Sequence, residues 1–235
     1  NYGEQTYNSK NLFARYSHKI RFRYSIRQIL ENLPINGYLL DYGCGDGYLI
    51  KKLRKYKLNS YGYDPFSKAT NNQSLEKFIY RDILKIPTNR KYDLITIYET
   101  VEHLDIQEFM DFLEFCKFNL KRNGKILVSV PIMIGPALIL KELRRLNLFK
   151  KSDYGLMDLL FASIFGISPC RSINIKTSHK GYDFRETFKF IRSNYGKVVD
   201  IQYSPFKIGT WYGNSQVFFS IVLNEFKDSI WKGFV

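Results

Sequence analysis

A glycine-rich segment, LLDYGCGDGYL over 39–49, restricts the fold of this chain more than any other feature of the sequence. The apolar residues before the glycines predict a buried strand, and the spacing of the apolar residues from Tyr48 onward predicts a helix. Gly43, Gly45 and Gly47 lie between the two, where a missing Cβ permits positive φ and lets a ligand approach the backbone. A strand-to-helix turn of this kind, in a parallel sheet, is where nucleotide-like ligands bind.

The segments around this turn alternate between strand-like and helical patterns. Short apolar strands are predicted over 38–42, 61–63, 92–98 and 125–130. Helical spacing lies beside and between them, over 20–33, 48–58 and 107–120. Because strands joined by amphipathic helices pair in parallel, we expect an α/β, Rossmann-like, mainly parallel sheet with helices on both faces. After a helix over 183–193, two strand patterns with no helix between them, 198–205 and 216–223, predict an antiparallel C-terminal hairpin.

The length of 235 residues favours one domain over 1–235. We expect an N-terminal helical cap over about 1–34 and a helical insertion over about 135–180, where two helical stretches follow each other without a strand. The longest apolar run, 126–140, is broken by prolines and is shorter than the roughly 20 residues needed to cross a bilayer. The three cysteines lack metal-site or disulfide spacing, so a cytoplasmic, reducing location is expected.

Acidic residues follow the predicted strands at matching places. Asp64 in YGYDPF comes about 20 residues after the glycine turn, where a carboxylate can accept hydrogen bonds from both ribose hydroxyls of an adenosine. Asp82 in RDIL is placed either to accept from an adenine amino group or to cap a turn. The glycine pattern is GxGxG, with Tyr48 where a dinucleotide fingerprint requires its last glycine, which disfavours a dehydrogenase.

Together, LLDYGCGDGYL, YGYDPF, RDIL, YDLITIYETVEHL and LKRNGKILVSVP resemble the class I S-adenosylmethionine-dependent methyltransferases over about 35–131. The resemblance implies a seven-stranded sheet and S-adenosylmethionine as cofactor, with S-adenosylhomocysteine as product. It also implies the cofactor-binding residues: Asp41, Gly43, Cys44 and Gly45 for the methionine part, Asp64 and Pro65 for the ribose, Asp82 and Ile83 for the adenine, and Tyr98 and Glu99 for the far wall. The EHL ending is similar to the branch that methylates small molecules and glycans, including sugars of bacterial surface polysaccharides.

The group that takes a proton from the acceptor is expected among three side chains. His103 follows the fourth predicted strand, and His179 lies where the insertion returns to the core. A histidine titrates near pH 6.5 and can accept a proton from a hydroxyl or an amine. His103 has an alternative role in orienting its loop, and Glu102 is either catalytic or the residue that orients His103. No metal is predicted.

The formal net charge of +14 favours partners that carry phosphate or carboxylate. A small-molecule or glycan acceptor, methylated at oxygen, is the leading hypothesis, and it includes phosphate-bearing and lipid-linked acceptors. RNA methylation is the alternative, disfavoured because Tyr98-Glu99-Thr100-Val101 replaces the Asn-Pro-Pro-Tyr type of sequence used on base amines. A SAM-binding protein without catalysis is a third hypothesis, and it would lack an open acceptor pocket.

The predicted insertion has two interpretations. Its second helix is very apolar, and cations precede it: Lys141, Arg144, Arg145, Lys150 and Lys151. A helix pair packed on the core or in a homodimer interface is one interpretation. The other is a lid over the acceptor that touches a membrane when the acceptor is lipid-linked.

Overall fold

Seven strands form one sheet in this computed structural model, which describes residues 12–67, 73–87, 89–149, 152–206 and 210–224. The strands are β1 (Tyr38–Tyr42), β2 (Asn59–Tyr63), β3 (Ile79–Tyr80), β4 (Tyr92–Tyr98), β5 (Leu120–Pro131), β6 (Gly196–Ser204) and β7 (Gln216–Leu223). Their order across the sheet is β3-β2-β1-β4-β5-β7-β6. Strands β1 to β5 pair in parallel, whereas β7 runs antiparallel to both β5 and β6. The predicted fold class and the C-terminal hairpin are confirmed.

Helices connect most of these strands. They are α1 (Leu12–Asn32), α2 (Tyr48–Lys55), α3 (Gln73–Glu76), α4 (Ile106–Asn119), α5 (Ala137–Phe149), α6 (Leu156–Leu160) and α7 (Phe184–Asn194). Single 3₁₀ turns lie at Ile83–Lys85 and Val101–His103, and a π-helical turn, Phe161–Phe165, continues α6. The first eleven residues of the predicted N-terminal cap lie outside the described residues.

Both faces of the sheet are covered by side chains from the helices. On one face Leu39 and Leu94 pack with Ile29 of α1 and Ile50 of α2. The next residues along the same strands, together with Ile126 of β5, belong to the larger cluster on the other face. This alternation follows from the pleat of a strand, and burial on both sides explains why apolar residues occupy adjacent positions in β1 and β4.

β3 and β5 differ most from the sequence-based expectation. β3 has only two residues, for which no strand was predicted, and it pairs with Gly62 and Tyr63 at the sheet edge. β5 begins at Leu120 rather than at the predicted 125, because Tyr92 pairs with Leu120 and Leu94 already pairs with Lys125. Asn123 and Gly124, which follow the helix predicted over 107–120, therefore lie within an irregularity of the strand register.

The two helices between β5 and α7 occupy the region of the predicted insertion. Leu138, Tyr154 and Ala162 are buried in the larger core cluster. Other apolar side chains are exposed, including Leu156 at 81% and Phe165 at 62%. Among the described residues, no helix is both long enough and apolar enough to span a membrane.

Candidate functional site

The glycine turn joins β1 to α2 with a tightly held backbone. The amides of Gly43 and Cys44 both donate to the carbonyl oxygen of Tyr63, at 2.8 and 3.1 Å, which ties the turn to β2. Gly43 has φ +79°, and a Cβ there would lie 2.4 Å from the Thr100 hydroxyl. Gly45 has φ +54°, but a Cβ there would meet no atom within 4 Å, so its backbone is open to approach.

Two carboxylates flank this turn. Asp41, 4% exposed at the end of β1, accepts a 2.7 Å hydrogen bond from the Thr96 hydroxyl. Burial raises the pKa of Asp41 to about 7, and the nearby Asp64 carboxylate adds to the rise. Asp64 accepts from the amides of Gly45 and Phe66, at 2.9 and 2.8 Å, one on each oxygen. Because a carboxylate offers about four acceptor positions, Asp64 retains capacity for a further donor.

The sequence-predicted residues near β3 form a local turn. Asp82 caps the 3₁₀ turn after β3, accepting from the Leu84 amide at 3.0 Å. Asp82 therefore caps a turn, which is one of its two predicted roles, and its contact with adenine stays a prediction. Asp64, Pro65, Asp82 and Ile83, like Gly45 of the glycine turn, are not among the residues that line the large cavity described next.

A cavity of about 950 Å³ opens at the carboxyl ends of β1 and β4. It brings together most of the predicted site residues: Asp41, Gly43, Cys44, Tyr98, Glu99, Glu102, His103 and His179. Its volume lies near the upper end of the ~300–1,000 Å³ typical of ligand sites. Cys44 also packs on β2, since a Cβ at Gly62 would lie 2.6 Å from its sulfur, and burial raises the pKa of the Cys44 thiol. A thiol held in the protonated form is unsuited to act as a nucleophile.

Glu99 is held at one wall of the cavity by residues that the sequence did not single out. Its φ is +52°, a conformation that non-glycine residues rarely adopt and that clusters at functional sites. Its carboxylate accepts from Arg21 at 2.9 Å and from the side-chain amide of Gln216, and Arg21 also donates to Gln216 at 3.0 Å. In the helical pattern Arg21 resembles a surface cation, and Gln216 is one polar residue within a predicted strand. The sequence alone therefore does not indicate that either residue contacts Glu99.

The two candidate histidines contact each other. The Nε2 atoms of His103 and His179 lie 3.1 Å apart, and His103 Nδ1 lies 3.0 Å from the carbonyl oxygen of Ile175. Because a carbonyl oxygen only accepts, the proton of a neutral His103 lies on Nδ1 and its Nε2 carries a lone pair. Burial, with a further contribution from His103, lowers the pKa of His179 to about 4, so His179 is neutral at pH 7.

Glu102 lies beside this pair. It is fully buried, and neither carboxylate oxygen has a hydrogen-bond partner. Burial, and then the negative charge of Glu99, raises the pKa of Glu102 well above its ordinary value. Arg171 donates to the main-chain carbonyl of Glu102 and not to its carboxylate.

Lys141, one of the cations that precede the apolar helix of the predicted insertion, contacts the main chain. Its ammonium group donates to the carbonyl oxygens of Ile132 and Ser215, both at 2.9 Å. Burial lowers the pKa of Lys141 to about 8, against the opposing effect of Glu99. The helical pattern did not indicate that this lysine faces the interior.

The chain matches, over residues 14–146, the sequence profile of a family described as a methyltransferase domain. It belongs to the class I S-adenosylmethionine-dependent methyltransferases. The protein is therefore a SAM-dependent methyltransferase, and S-adenosylmethionine is its cofactor. No curated protein sequence matched significantly.

Solved structures of methyltransferases share the fold. A SAM-dependent methyltransferase from Clostridium acetobutylicum matches with a TM-score of 0.59 and 16% identity, covering 95% of this chain and 99% of that one. Magnesium protoporphyrin IX methyltransferase from Synechocystis, with bound SAH, matches with a TM-score of 0.57 and 15% identity, covering 94% and 93%. A glycopeptide N-methyltransferase in complex with SAM matches with a TM-score of 0.51 and 11% identity, covering 86% and 87%.

Proposed function

We propose that this methyltransferase acts at an oxygen atom of a small-molecule or glycan acceptor, in the branch that includes the modification of bacterial surface polysaccharides. The observation that carries the proposal is the single cavity that joins the strand-end residues Asp41 and Glu99 to His103 and His179. A cavity that reaches from the cofactor turn to two imidazoles has space for an acceptor beside the donor. An inactive SAM-binding protein has no need of that space.

The cofactor-binding residues fit an adenosyl ligand in their chemistry. Gly43, Cys44 and Gly45, with Asp41, would hold the methionine part, where the open backbone of Gly45 admits close approach. The remaining acceptor capacity of Asp64 suits the ribose hydroxyls, with Pro65 beside it. Further contacts with the ligand are proposed at two places. Asp82 and Ile83 would contact the adenine, and Tyr98 and Glu99 would form the far wall of the cofactor site.

The residues at the acceptor end of the cavity would bind the acceptor hydroxyl and promote the loss of its proton. When bound, the cofactor supplies a methyl group on a sulfonium, whose leaving group is neutral, so the protein's task is alignment and removal of one proton. His103 and His179 face the cavity, and Glu102 adjoins them. These are the three catalytic residues that we propose.

Cations that line the cavity, together with exposed apolar side chains of α6, support a phosphate-bearing or lipid-linked acceptor. Arg21, Arg145 and Lys176 line the cavity, each with an acidic partner: Glu99, Asp153 and Glu108. The exposed apolar side chains of α6 suit peripheral contact with a membrane by a cytoplasmic enzyme, or the interface of a homodimer. Arg145 and Lys176 come from the insertion region and partly enclose the cavity, which favours a small acceptor over duplex RNA.

The test is transfer of a radiolabelled methyl group from SAM to fractionated bacterial extracts. Label is expected in the polar small-molecule and glycan fractions, including lipid-linked ones. The matched control is Asp64→Ala, which should reduce labelling at limiting SAM. Label found only in RNA, with binding that weakens steeply as salt rises, would support the nucleic-acid alternative instead.

A further inference from the structure

Three metal-ligating side chains converge at the acceptor end of the cavity. One nitrogen of His103, one of His179 and a carboxylate oxygen of Glu102 all lie within 4.8 Å of one another. The two histidines are 76 positions apart in the sequence, one after β4 and the other before α7. The tertiary fold, and not local chain geometry, therefore brings them together.

The distance between the two imidazoles fits a shared cation. Two nitrogens that lie 3.1 Å apart, each at the 2.0–2.1 Å of a metal–imidazole bond, subtend an angle of about 98° at the ion. That angle lies between octahedral and tetrahedral values. His103 is also oriented for the task, because its Nδ1 donates to the Ile175 carbonyl and leaves the Nε2 lone pair toward His179. Histidine ligands of metals commonly have such a carbonyl partner.

Glu102 supplies the second, independent observation. Its side chain is fully buried and both oxygens lack a hydrogen-bond partner, an arrangement that costs free energy unless a charge compensates it. The two cations whose charges act on Glu102 donate to main-chain carbonyls and not to its carboxylate: Lys141 to those of Ile132 and Ser215, and Arg171 Nη2 to that of Glu102 itself. Arg171 Nη1 has no hydrogen-bond partner. Among the described side chains, no ion pair to the Glu102 carboxylate is formed. A divalent cation beside His103 would compensate this carboxylate.

We propose that Glu102, His103 and His179 bind one divalent transition-metal ion. Two imidazoles and one carboxylate suit Mn²⁺, Fe²⁺, Co²⁺ or Zn²⁺, whereas Mg²⁺ prefers oxygen ligands alone. Three protein ligands leave coordination positions open, as in catalytic metal sites, and all three residues line the cavity.

The role of this ion rests on the proposed function. An acceptor hydroxyl bound to the ion becomes more acidic and loses its proton to water. Its oxygen then forms a bond to the methyl carbon as the carbon–sulfur bond breaks, and the electron pair of that bond stays on the now neutral sulfur. No oxidant or reductant is needed. The histidines thus promote the loss of the proton as metal ligands rather than as free bases.

Cobalt is a suitable probe because its visible absorption reports coordination without any acceptor. The full chain, treated with EDTA and dialysed, is titrated with Co²⁺ and followed by absorbance and by elemental analysis. One Co²⁺ per chain is expected for the unaltered protein. His103→Asn, His179→Asn and Glu102→Gln should each weaken binding by at least about 100-fold, since losing even an outer-shell partner typically costs 10–100-fold.

Glu114→Gln is the matched control for Glu102→Gln, because Glu114 is a partly exposed carboxylate that pairs with Lys117 on α4. It should bind Co²⁺ as the unaltered protein does. Thermal unfolding is measured for each variant. If Glu102→Gln does not fold, Co²⁺ binding by the two histidine variants tests the proposal. Absence of a stoichiometric Co²⁺ site, or binding that both histidine variants retain, would overturn the proposal.

Calorimetric titration of the EDTA-treated protein with SAH separates this inference from the proposed function. SAH binding without a Co²⁺ site leaves the methyltransferase proposal standing and rejects the metal. Methyl transfer to the extract fractions that is equally fast with and without Mn²⁺ also rejects the catalytic role of the ion. A Co²⁺ site in a chain that methylates none of the small-molecule or glycan fractions keeps the metal site and rejects the proposed acceptor class.

Discussion

Arg21 of α1 and Glu99 after β4 form an ion pair with an Nη1–Oε2 distance of 2.9 Å, although they are 78 positions apart in the sequence. The pair joins the N-terminal helix to the wall of the cavity. Gln216 of β7 contacts both side chains, so three separate elements meet at this point. The position of α1 over the sheet therefore influences the shape of the site.

We expect a double-mutant cycle of Arg21→Gln and Glu99→Gln to give a coupling energy of about 0.5–1 kcal/mol in urea unfolding. The two side chains are 23% and 40% exposed, and partly exposed ion pairs contribute little because water and salt screen them. The coupling should shrink as salt is raised. Lys19→Gln, on an exposed residue of the same helix, is the control and should show no coupling to Glu99→Gln. A coupling energy unaffected by salt would contradict this account.

The two glycines of the turn should respond differently to alanine. Gly43→Ala places a Cβ 2.4 Å from the Thr100 hydroxyl at φ +79°, so strain and overlap add, and we expect a loss of about 2–4 kcal/mol in unfolding free energy. Gly45→Ala meets no atom within 4 Å and carries the backbone strain alone, about 1–2 kcal/mol. Urea unfolding of both variants provides the measurement. Equal losses would show that the contact with Thr100 is unimportant.

Asp64→Ala should weaken the affinity for the cofactor by about 1–3 kcal/mol, because a charged hydrogen-bond acceptor is removed. The same change removes the partners of the Gly45 and Phe66 amides, so some loss of stability is also expected. Asp64→Asn retains one oxygen acceptor, so its affinity for the cofactor should lie between those of the unaltered protein and Asp64→Ala. Calorimetry with SAH is the measurement, and Asp111→Ala, on the exposed side of α4, is the control. Unchanged affinity in Asp64→Ala would reject the proposed contact with the ribose.

Sequence patterns predicted the parts of this fold that depend on local periodicity. The buried strands β1 and β4 and the glycine turn were predictable, because short runs of apolar residues and closely spaced glycines lie within a few positions of one another in the sequence. β3 was not, since two residues at a sheet edge are too few to carry a pattern.

The sequence identified single candidate residues of the site but not the contacts between them. His103 and His179 were both candidates, but their contact depends on how the segment after the insertion folds back to the cavity. The inward turn of Lys141 and the contact of Arg21 with Glu99 likewise arise from tertiary packing. One sequence without its fold gives no signal for such contacts.

The opposite pKa shifts of Asp41 and His179 predict an unusual dependence of stability on pH. The pKa of Asp41 is raised from 3.8 to about 7, so its contribution is fully present below pH 4 and is lost as pH rises through 7. The pKa of His179 is lowered from 6.5 to about 4, so its contribution is present above pH 6.5 and is lost as pH falls through 4. Between about pH 4 and 6.5 the two slopes have opposite signs and largely cancel.

Removing either group should therefore reveal the slope of the other. Relative to the unaltered protein, the unfolding free energy of Asp41→Asn should rise with pH between about 4.5 and 6.5, and that of His179→Asn should fall, each by up to about 1 kcal/mol per pH unit. Asp41→Asn keeps an oxygen that can accept from Thr96, so the fold around it is preserved. Asp111→Asn, at an exposed position of α4, is the control for replacing an Asp by Asn. Urea unfolding at several pH values measures these curves, and parallel curves for all variants would mean that neither group titrates as its burial requires.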